Sequence, residues 1–526
     1  MSRISLTETE SKICTLLDEC TTHLREEQGI TTSCRIAGGW VRDKLLGLES
    51  NDIDVALSDM MGVQFAQHLL AFAQSKGLAV GTIAKIESNP DQSKHLETAR
   101  FTVYGIEMDL VNLRSEEYAA NSRIPTQVTF GTPLQDALRR DITINALFFN
   151  VHSRSVEDLT EKGLSDLNTG VIRTPLSPKE TFMDDPLRVI RCIRFASRLN
   201  FRLMPELEHA AKDPEIQAAL ASKISRERVG EEFTKMLKGK DPSHSLQLID
   251  ELSLYQCMFA VFPEEVEASF SGIPGHFSTS ISATRILYAL LDPSSPSSFS
   301  LPPLHPLFLQ AANADPTCRY RLYLAAALTP YLHVTYTDKR GKEHSASESV
   351  IRDCLKLGSQ YHFLDGVPAL FAAANLLKNP DVNEERLLQP VDRVAIGLLL
   401  RDKAVHCPIT GSHWTSSLLF SLLQELVPLY DLSKGQLDGA SAQIIEKYNR
   451  FLRKVEELDL VGCADARTLL DGKEVIKALS AQRPGVWTGA VLSQVVAWQL
   501  QHPEGTKEQC AEWLRAEKEA GRVSTV

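Results

Sequence analysis

The fold is constrained most by a change of sequence pattern near Val156. Residues 33–150 alternate short β-like runs with helical stretches, which is typical of a mixed α/β domain with a small sheet. From about Val156 to the end, helical periodicity dominates, and Pro and Gly mark its interruptions. The pattern predicts an α+β fold, with a small mixed-sheet head followed by an elongated all-α region.

Three further features are predicted from the pattern: an N-terminal helix, a loop within the helical region, and the strands of the head. An amphipathic helix with acidic faces is expected within residues 1–30, and the Ser- and Pro-rich stretch 292–306 is expected to be a linker or an exposed loop. The strand candidates are residues 35–37, 53–57, 99–104, 107–113 and 146–151.

Length and composition indicate a globular protein of several domains. The 526 residues suffice for roughly three or four domains, and the net charge of −11 leaves room for local basic clusters that could contact phosphate. No apolar run is long enough to span a membrane, and the ten cysteines include no CxxC pair. The first residues resemble neither a secretory signal nor a transit peptide. We therefore expect a cytoplasmic and nuclear protein, whose mitochondrial form would need a leader from an upstream start.

Asp52 and Asp54 flank Ile53 in a predicted strand. Residues two apart in a strand point to the same side, so the two carboxylates would form an oxygen-rich site suited to Mg²⁺. A bare DxD is weak evidence because it occurs often by chance, and the alternative is a strand-end Asp that caps a turn.

Two glycines strengthen the interpretation of the aspartates as a phosphate-transfer site. Gly38 and Gly39 follow a short apolar strand and precede a helix, where the backbone can approach a phosphate and the helix N-terminus attracts it. The spacing is neither GxGxxG nor the Walker pattern, which argues against a dinucleotide fold and a P-loop.

Further polar residues lie in the same part of the chain. Asp109 falls in a predicted strand that could pair beside the aspartates, although a solvent-facing edge residue is the alternative. Asp141 and Asn145 are four residues apart and would share a helical face that could bind ribose hydroxyls. The arginines immediately before them, Arg139 and Arg140, could contact a triphosphate.

Together the motifs GGWVRD, DID and RRDITINAL resemble the head of class II tRNA nucleotidyltransferases, the CCA-adding enzymes, and of related bacterial poly(A) polymerases. Both belong to the polymerase-β-like nucleotidyltransferase superfamily. The similarity continues through VEDLTEKGLSDLNTGVIR, DDPLRVIRCIRFASRL and ISRERVGEEFTKML, and so covers residues 30–240. The C-terminal RPGVWTGAVLSQVVAWQLQHPEGT resembles the eukaryotic, especially fungal, enzymes.

The resemblance implies a domain order and an activity. It implies a nucleotidyltransferase head (1–155), a helical neck with a base-reading motif (156–250), a helical body (251–420) and a helical tail that binds tRNA (421–526). The implied reaction is template-independent addition of CCA to the 3′ end of tRNA from CTP and ATP, with release of pyrophosphate and with Mg²⁺ as cofactor.

The resemblance also implies the roles of individual residues. Asp52 and Asp54 would hold the metal, and Asp109 would complete the catalytic carboxylates. The implied nucleotide-binding residues are Gly38, Gly39, Arg42, Arg140, Asp141, Asn145, Asp185, Arg188, Arg191 and Arg194.

Asp185 and Arg188 match the base-reading positions of the family's E-D-x-x-R motif, with Asp184 where Glu is usual. Cytosine and adenine both offer an amino donor beside a ring-nitrogen acceptor. A carboxylate only accepts hydrogen bonds and a guanidinium only donates them, so the couple suits C and A. Uracil and guanine present the reverse order and would leave buried groups unpaired, at about 1–3 kcal/mol each.

Arginines continue along the helix that is predicted after this motif, within one arc of the helical wheel and opposite Val189, Ile190, Ile193 and Ala196. A solvated basic face is the ordinary alternative. The resemblance places Arg191 and Arg194 in the nucleotide pocket, and we expect the last two of the series to meet RNA or structural carboxylates. The series is Arg188, Arg191, Arg194, Arg198 and Arg202.

Three points stay open at the level of sequence. The stretch 114–133 is the candidate for the family's flexible loop that switches from C to A addition, and an ordinary surface loop is its alternative. Within the same family, the chain could instead be a poly(A) polymerase or an enzyme that adds only CC or only A. In another class, it could be an inactive RNA-binding scaffold, against which the intact motifs argue.

Overall fold

The computed structural model describes residues 4–50, 52–86, 98–118, 125–293, 301–378, 380 and 391–524. The chain divides into two compact units, Met1–Val261 and Phe262–Val526. Across the described ranges, every helix is too short or too polar to pass through a lipid bilayer.

A mixed sheet forms the centre of the first unit. Its strands are β1 (Cys34–Ala37), β2 (Ile53–Leu57), β3 (Ala84–Ile86), β4 (Thr98–Val103), β5 (Ile106–Asn112), β8 (Phe148–Asn150) and β9 (Ser155–Glu157). They lie in the order β3-β4-β5-β2-β1-β8-β9. Two further strands, β6 (Arg114–Tyr118) and β7 (Pro125–Phe130), form a separate antiparallel pair.

The strand register brings the predicted carboxylates together. β2 pairs in parallel with β5, and Asp54 lies opposite Asp109. β1 is antiparallel to both β2 and β8, so the glycines that follow Ala37 emerge at the end of the sheet where β2 begins. The alternating apolar residues of these strands, including Ile36 and Val55, are fully buried and hold the sheet in this register.

The N-terminal helix supports the segment after β1. α1 (Glu8–Gln28) begins with a capping box formed by Thr7 and Glu10. The Glu10 carboxylate is buried and also accepts hydrogen bonds from Trp40 Nε1 at 3.2 Å and from Lys44 Nζ at 2.7 Å. Both donors lie on α2 (Gly39–Leu45), so α1 fixes the helix that follows the two glycines.

Helices make up most of the rest of the first unit, together with a short parallel ladder of β10 (Val171–Ile172) and β11 (Arg202–Leu203). The helices are α3 (Gly62–Ser75), α4 (Pro133–Leu138), α5 (Gly163–Thr169), α6 (Pro178–Asp184), α7 (Leu187–Leu199), α8 (Pro205–Ala211), α9 (Pro214–Lys223), α10 (Arg226–Leu237), α11 (Pro242–Glu251) and α12 (Tyr255–Phe259).

One residue of the predicted arginine helix lies outside it. α7 ends at Leu199 because Asn200 adopts the left-handed conformation with φ 55°, which asparagine tolerates well. Arg202 belongs to β11 instead. The prediction that it shares a helical face with Arg188 was therefore wrong.

The second unit is built from helices and two short antiparallel ladders, β12 (Thr335–Thr337) with β13 (Glu343–Ser345), and β14 (Tyr430–Asp431) with β15 (Gln436–Leu437). Its helices are α13 (Glu264–Glu267), α14 (Ser278–Leu291), α15 (Gln310–Ala314), α16 (Pro316–Ala327), α17 (Ala346–Ser349), α18 (Phe363–Leu377), α19 (Val391–Leu400), α20 (Trp414–Leu426), α21 (Ala440–Glu457), α22 (Gly472–Ala478), α23 (Trp487–Gln501) and α24 (Lys507–Glu519).

The α+β class with a small sheet in the head and a helical remainder is confirmed. The short ladders of the second unit were missed because strands of two or three residues leave no periodic pattern in the sequence. Of the stretch 292–306, residues 294–300 lie outside the described ranges. The division of the chain into head, neck, body and tail stays a prediction.

Candidate active site

A cavity of about 730 Å³ in the first unit collects nearly all the predicted site residues. Asp109 is the exception, since it is not part of the wall. The predicted residues that line the cavity are Gly38, Gly39, Arg42, Asp52, Asp54, Arg140, Asp141, Asn145, Asp185, Arg188, Arg191 and Arg194. The head contributes those up to Asn145, and the segment from α6 to α7 contributes the others.

Gly38 joins β1 to α2 in a conformation that requires glycine. Its φ is 72° and its ψ is −125°, and a Cβ there would lie 2.9 Å from Arg140 Nη1. Arg140 is held in place by Asp136, whose Oδ2 accepts from its Nη2 at 2.9 Å, and by the Asn145 carbonyl at 3.1 Å. The glycine therefore leaves room for a fixed guanidinium beside the start of α2.

Asp52 and Asp54 place two acidic groups close together on the wall of the cavity. Asp52 is exposed just before β2, and Asp54 is half-buried on it. Burial, and then the charge of Asp52, raise the pKa of Asp54 to about 6, against the weaker opposing charge of Arg140. Two carboxylates on one wall, one of which resists ionisation, are a donor set that fits a divalent cation.

The third predicted carboxylate has a partner. Asp109 lies beside Asp54 across the strand pair, as predicted, but its oxygens accept from Arg100 Nε at 2.8 Å and from Arg100 Nη2 at 3.1 Å. Its predicted catalytic role stays a prediction. Arg100, on the neighbouring strand β4, is a residue that the sequence did not assign to the site.

Asp141 and Asn145 meet directly, although a 3₁₀ turn (Thr143–Asn145) replaces the predicted α-helix. Asn145 Nδ2 donates to Asp141 Oδ1 at 3.1 Å, and Arg191 Nε donates to Asp141 Oδ2 at 2.8 Å. Burial opposes ionisation here, yet the Arg191 charge and the Asn145 hydrogen bond lower the pKa of Asp141 to about 2. Arg42 Nη1 donates to the Asn145 side-chain oxygen and so continues the network.

The two residues predicted to read the base, Asp185 and Arg188, are held by two different kinds of contact. Arg188 is buried, and it donates to the carbonyls of Thr181 at 3.3 Å and Arg139 at 2.7 Å. The Asp185 carboxylate instead accepts from Arg228 Nη2 at 2.8 Å. Both members of the couple line the same cavity as Asp52 and Asp54, as the proposed pocket requires.

The amphipathic prediction for α7 is confirmed. Val189, Ile190, Ile193 and Ala196 are all fully buried. Three arginines of the helix have ionic partners inside the unit: Arg191 pairs with Asp141, Arg194 with Glu232, and Arg198 with Asp43 at 3.3 Å. These pairs argue against a basic face that contacts only solvent.

Three residues of the cavity environment escaped the sequence analysis. The Phe195 ring lies 4.1 Å from the Arg194 guanidinium and 5.1 Å from that of Arg42. Arg228 and Glu232 lie on α10. Arg228 pairs with Asp185, directly after α6, and Glu232 pairs with Arg194 on α7. Their motif, ISRERVGEEFTKML, was part of the resemblance, and it was the available signal.

Most of the described part of the stretch expected to contain the switching loop is the antiparallel pair of β6 and β7. The pairs run from Arg114 with Phe130 to Tyr118 with Pro125, with a register shift between Glu117 and Tyr118, and residues 119–124 lie outside the described ranges. Arg114, at the start of β6, lines the cavity. The switching role stays a prediction.

A separate cluster of His406, His413 and Asp465 lies in the second unit, with ligand-type atoms within 4.8 Å of one another. Backbone N–H groups of Trp414 and Thr415 donate to the Nδ1 atoms of the two histidines, so both rings cap α20. His406 Nε2 lies 3.0 Å from Asp465 Oδ1. Helix capping accounts for this cluster without a metal.

Comparisons with known proteins point to one family. The model of the poly(A) polymerase head domain matches residues 34–173, and that of a probable RNA- and SrmB-binding site of polymerase A matches residues 200–266. A CCA tRNA nucleotidyltransferase of Saccharomyces cerevisiae, named as mitochondrial, is 36% identical over 98% of this chain and 94% of its own length. A tRNA nucleotidyltransferase of Schizosaccharomyces pombe is 34% identical over 98% of this chain and 99% of its own.

A solved structure shares the fold. It is that of the Bacillus stearothermophilus CCA-adding enzyme in complex with CTP, which superposes with a TM-score of 0.57 at 18% identity. The match covers 98% of this chain and 99% of that one.

Gly38→Ala should weaken the binding of a nucleoside triphosphate by about tenfold or more, since the new Cβ forces a strained φ and displaces Arg140. An equilibrium titration with ATP would measure this. Gly39→Ala, at the adjacent position of the same turn, should weaken binding less, because its Cβ would meet only Arg42 Nη2 at an ordinary 3.6 Å. Equal affinities for the wild type and Gly38→Ala would contradict the assignment of this turn.

Asp54→Asn should stabilise the metal-free protein at pH 7.5 by about 1–3 kcal/mol, and this gain should shrink at pH 5. The sign follows from a folded-state pKa of about 6, raised from 3.8, because the folded protein then loses stability as pH rises through this range. Thermal unfolding in chelator at both pH values would measure it. Asp59→Asn, at an exposed position after the same strand, is the control, and a less stable Asp54→Asn at pH 7.5 would refute the charge assignment.

Proposed function

The chain belongs to the CCA tRNA nucleotidyltransferase family, and from this premise we propose that it adds CCA to the 3′ end of tRNA from CTP and ATP, releasing pyrophosphate and using no nucleic-acid template. The observation that carries the proposal is the single cavity in which Asp52 and Asp54 share a wall with Asp185 and Arg188. Group transfer and base selection can then act on one bound nucleotide.

Asp52 and Asp54 are the proposed metal ligands, with Mg²⁺ as the divalent cation. A bound Mg²⁺ would activate the attacking hydroxyl and neutralise charge on the leaving pyrophosphate. Burial, and then the charge of Asp52, raise the pKa of Asp54, which supports this role because a bound cation would favour the ionised carboxylate. Asp109, paired with Arg100, would shape the site from the adjacent strand.

The phosphates and the sugar have separate candidate partners. The backbone of Gly38 and Gly39 opens at the start of α2, next to the fixed guanidinium of Arg140, which suits a triphosphate. Asn145 and Asp141 lie deeper, within the network that reaches Arg191, and would contact the ribose. Because Asp141 raises the pKa of Arg191, that arginine remains a cation throughout the working pH range.

The protein itself would supply the pairing edge for the base. Asp185 would accept from the amino group of cytosine or adenine, and Arg188 would donate to the adjacent ring nitrogen. The two backbone carbonyls that hold Arg188 fix its direction, which limits the base positions that it can satisfy.

The cellular location is also a proposal. Relatives from Saccharomyces cerevisiae and Candida glabrata are named as mitochondrial enzymes, which supports a mitochondrial form of this protein as well. We propose cytoplasmic and nuclear pools beside it. Fractionation with an antibody to the chain would test this distribution.

A second candidate within the family is poly(A) polymerase, because the matching head-domain model carries that description. Sequencing the products from tRNA that lacks its CCA end would separate the two activities. Exactly three added residues in the order C, C, A would support CCA addition, whereas an extended A tract, or only CC or A, would contradict it.

Asp52→Asn should lower nucleotide incorporation by about 10³-fold or more, since it removes a proposed metal ligand while leaving the fold intact. Incorporation of labelled CTP and ATP into tRNA lacking its CCA end would measure this. Asp59→Asn is again the matched control. Turnover like that of the wild type in the Asp52 variant would remove the metal assignment.

Asp185→Ala should reduce the preference for CTP and ATP over UTP and GTP by about tenfold to a hundredfold, because the acceptor that distinguishes them is lost. Competition assays with all four nucleotides, followed by end sequencing, would quantify it. Unchanged selectivity in an active variant would refute the idea of a protein-made pairing edge.

A further inference from the structure

We propose that Arg228 on α10 is a positioning residue that sets nucleotide selectivity by fixing the Asp185 carboxylate. The inference rests on the proposed base-reading role of Asp185. It gives a function to the ISRERVGEEFTKML segment, to which neither the sequence nor the proposed mechanism has assigned one.

α10 is a firm support for Arg228. At its first residue, Arg226 donates to the carbonyls of Cys257 at 3.0 Å and Met258 at 2.6 Å, which ties the helix to α12. Val229 and Phe233 are fully buried beneath it. The backbone that carries Arg228 is therefore held from two sides.

The contact with Asp185 uses the forked geometry of the guanidinium. Arg228 Nη2 lies 2.8 Å from Asp185 Oδ2, and Nη1 lies 3.4 Å from Oδ1. Oδ1 also accepts from the Leu187 backbone N–H at 3.2 Å. Each of the two side chains is 16% exposed, so solvent screens the pair only partly.

These contacts leave the carboxylate one main direction in which to accept. A carboxylate has about four lone-pair sites, and Arg228 and Leu187 together occupy three of them. The terminal torsion of an aspartate is broad unless contacts restrict it. Without Arg228 the carboxylate could rotate and accept hydrogen bonds from bases bound in other positions. This freedom would reduce the selectivity for C and A over U and G.

One turn further along α10, Glu232 holds two arginines of α7 in the same way that Arg228 holds Asp185. It is buried, and its carboxylate accepts from Arg194 and lies 3.7 Å from Arg191 Nη1. α10 thus presents a cation to the acid of the base-reading motif and an anion to the arginines that follow it. Glu232 strengthens the case that α10 orients the cavity's charged groups as a set.

The alternative is that Arg228 blocks Asp185 in the free protein, so that the incoming base must displace it. The two roles predict opposite changes in KM when Arg228 is removed. A positioning residue improves nucleotide binding, so its removal raises KM, whereas the removal of a blocking residue lowers KM.

The test uses the full-length chain as Arg228→Ala and Arg228→Lys, with tRNA lacking its CCA end and each of the four nucleotides. For Arg228→Ala we expect the KM for CTP and ATP to rise about tenfold, and the kcat/KM ratio of CTP over UTP to fall about tenfold. We expect kcat at saturating CTP to stay within about threefold of wild type. Arg228→Lys should recover part of both losses, since lysine keeps the charge but not the fork.

Glu231→Ala, at an exposed position on the same helix, is the control for α10 itself. Unfolding curves, and direct binding of CTP and UTP without tRNA, complete the comparison. A folded Arg228→Ala with unchanged selectivity, a lowered KM, or an equal loss of kcat for all four nucleotides would overturn the inference. A wild type that binds CTP in preference to UTP but incorporates neither would contradict the proposed function alone.

Discussion

The ion pair between Asp141 and Arg191 is the interaction on which the site depends. It joins the segment directly before the 3₁₀ turn to α7, at 2.7 Å and with the carboxylate almost fully buried. Two further contacts also connect α7 to the head motifs: the hydrogen bond from Arg188 to the Arg139 carbonyl and the ion pair of Arg198 with Asp43. Because of these links, Asp52 and Asp54 line the same cavity as Asp185 and Arg188, the proposed base-reading couple.

Several arginines line the cavity, and ion pairs within the protein already fix their side chains. Arg42, Arg191 and Arg194 each have an acidic partner, so their directions are set before any ligand arrives. Preorganised donors need little rearrangement when a triphosphate binds. Asp52 and Asp54 differ from these arginines, because their two negative charges repel each other. A bound cation would reduce this repulsion. Binding of metal and nucleotide should thus reinforce each other.

Much of this arrangement could be predicted from the sequence. The short β-like runs correctly predicted five strands of the sheet, which are β1, β2, β4, β5 and β8. The motifs identified the cavity residues because their chemistry is local. The contacts that the sequence analysis missed depend on pairing between separate elements. Nothing near Asp109 in the sequence shows that Arg100 on β4 would cover it, or that Arg228 would meet Asp185 from a helix forty-three positions later. Arg202 was misplaced because a single left-handed Asn200 ends α7.

We propose that one nucleotide spans the two aspartates that would bind metal and the protein-made pairing edge. The most direct measurement is a crystal structure with Mg²⁺, tRNA lacking its CCA end and a non-hydrolysable CTP analogue. The account predicts the cytosine amino group within about 3 Å of Asp185, its ring nitrogen facing Arg188, and its phosphates beside Gly38 and Asp54. A cytosine bound away from Asp185 and Arg188 while its phosphates occupy the aspartate site would contradict the account.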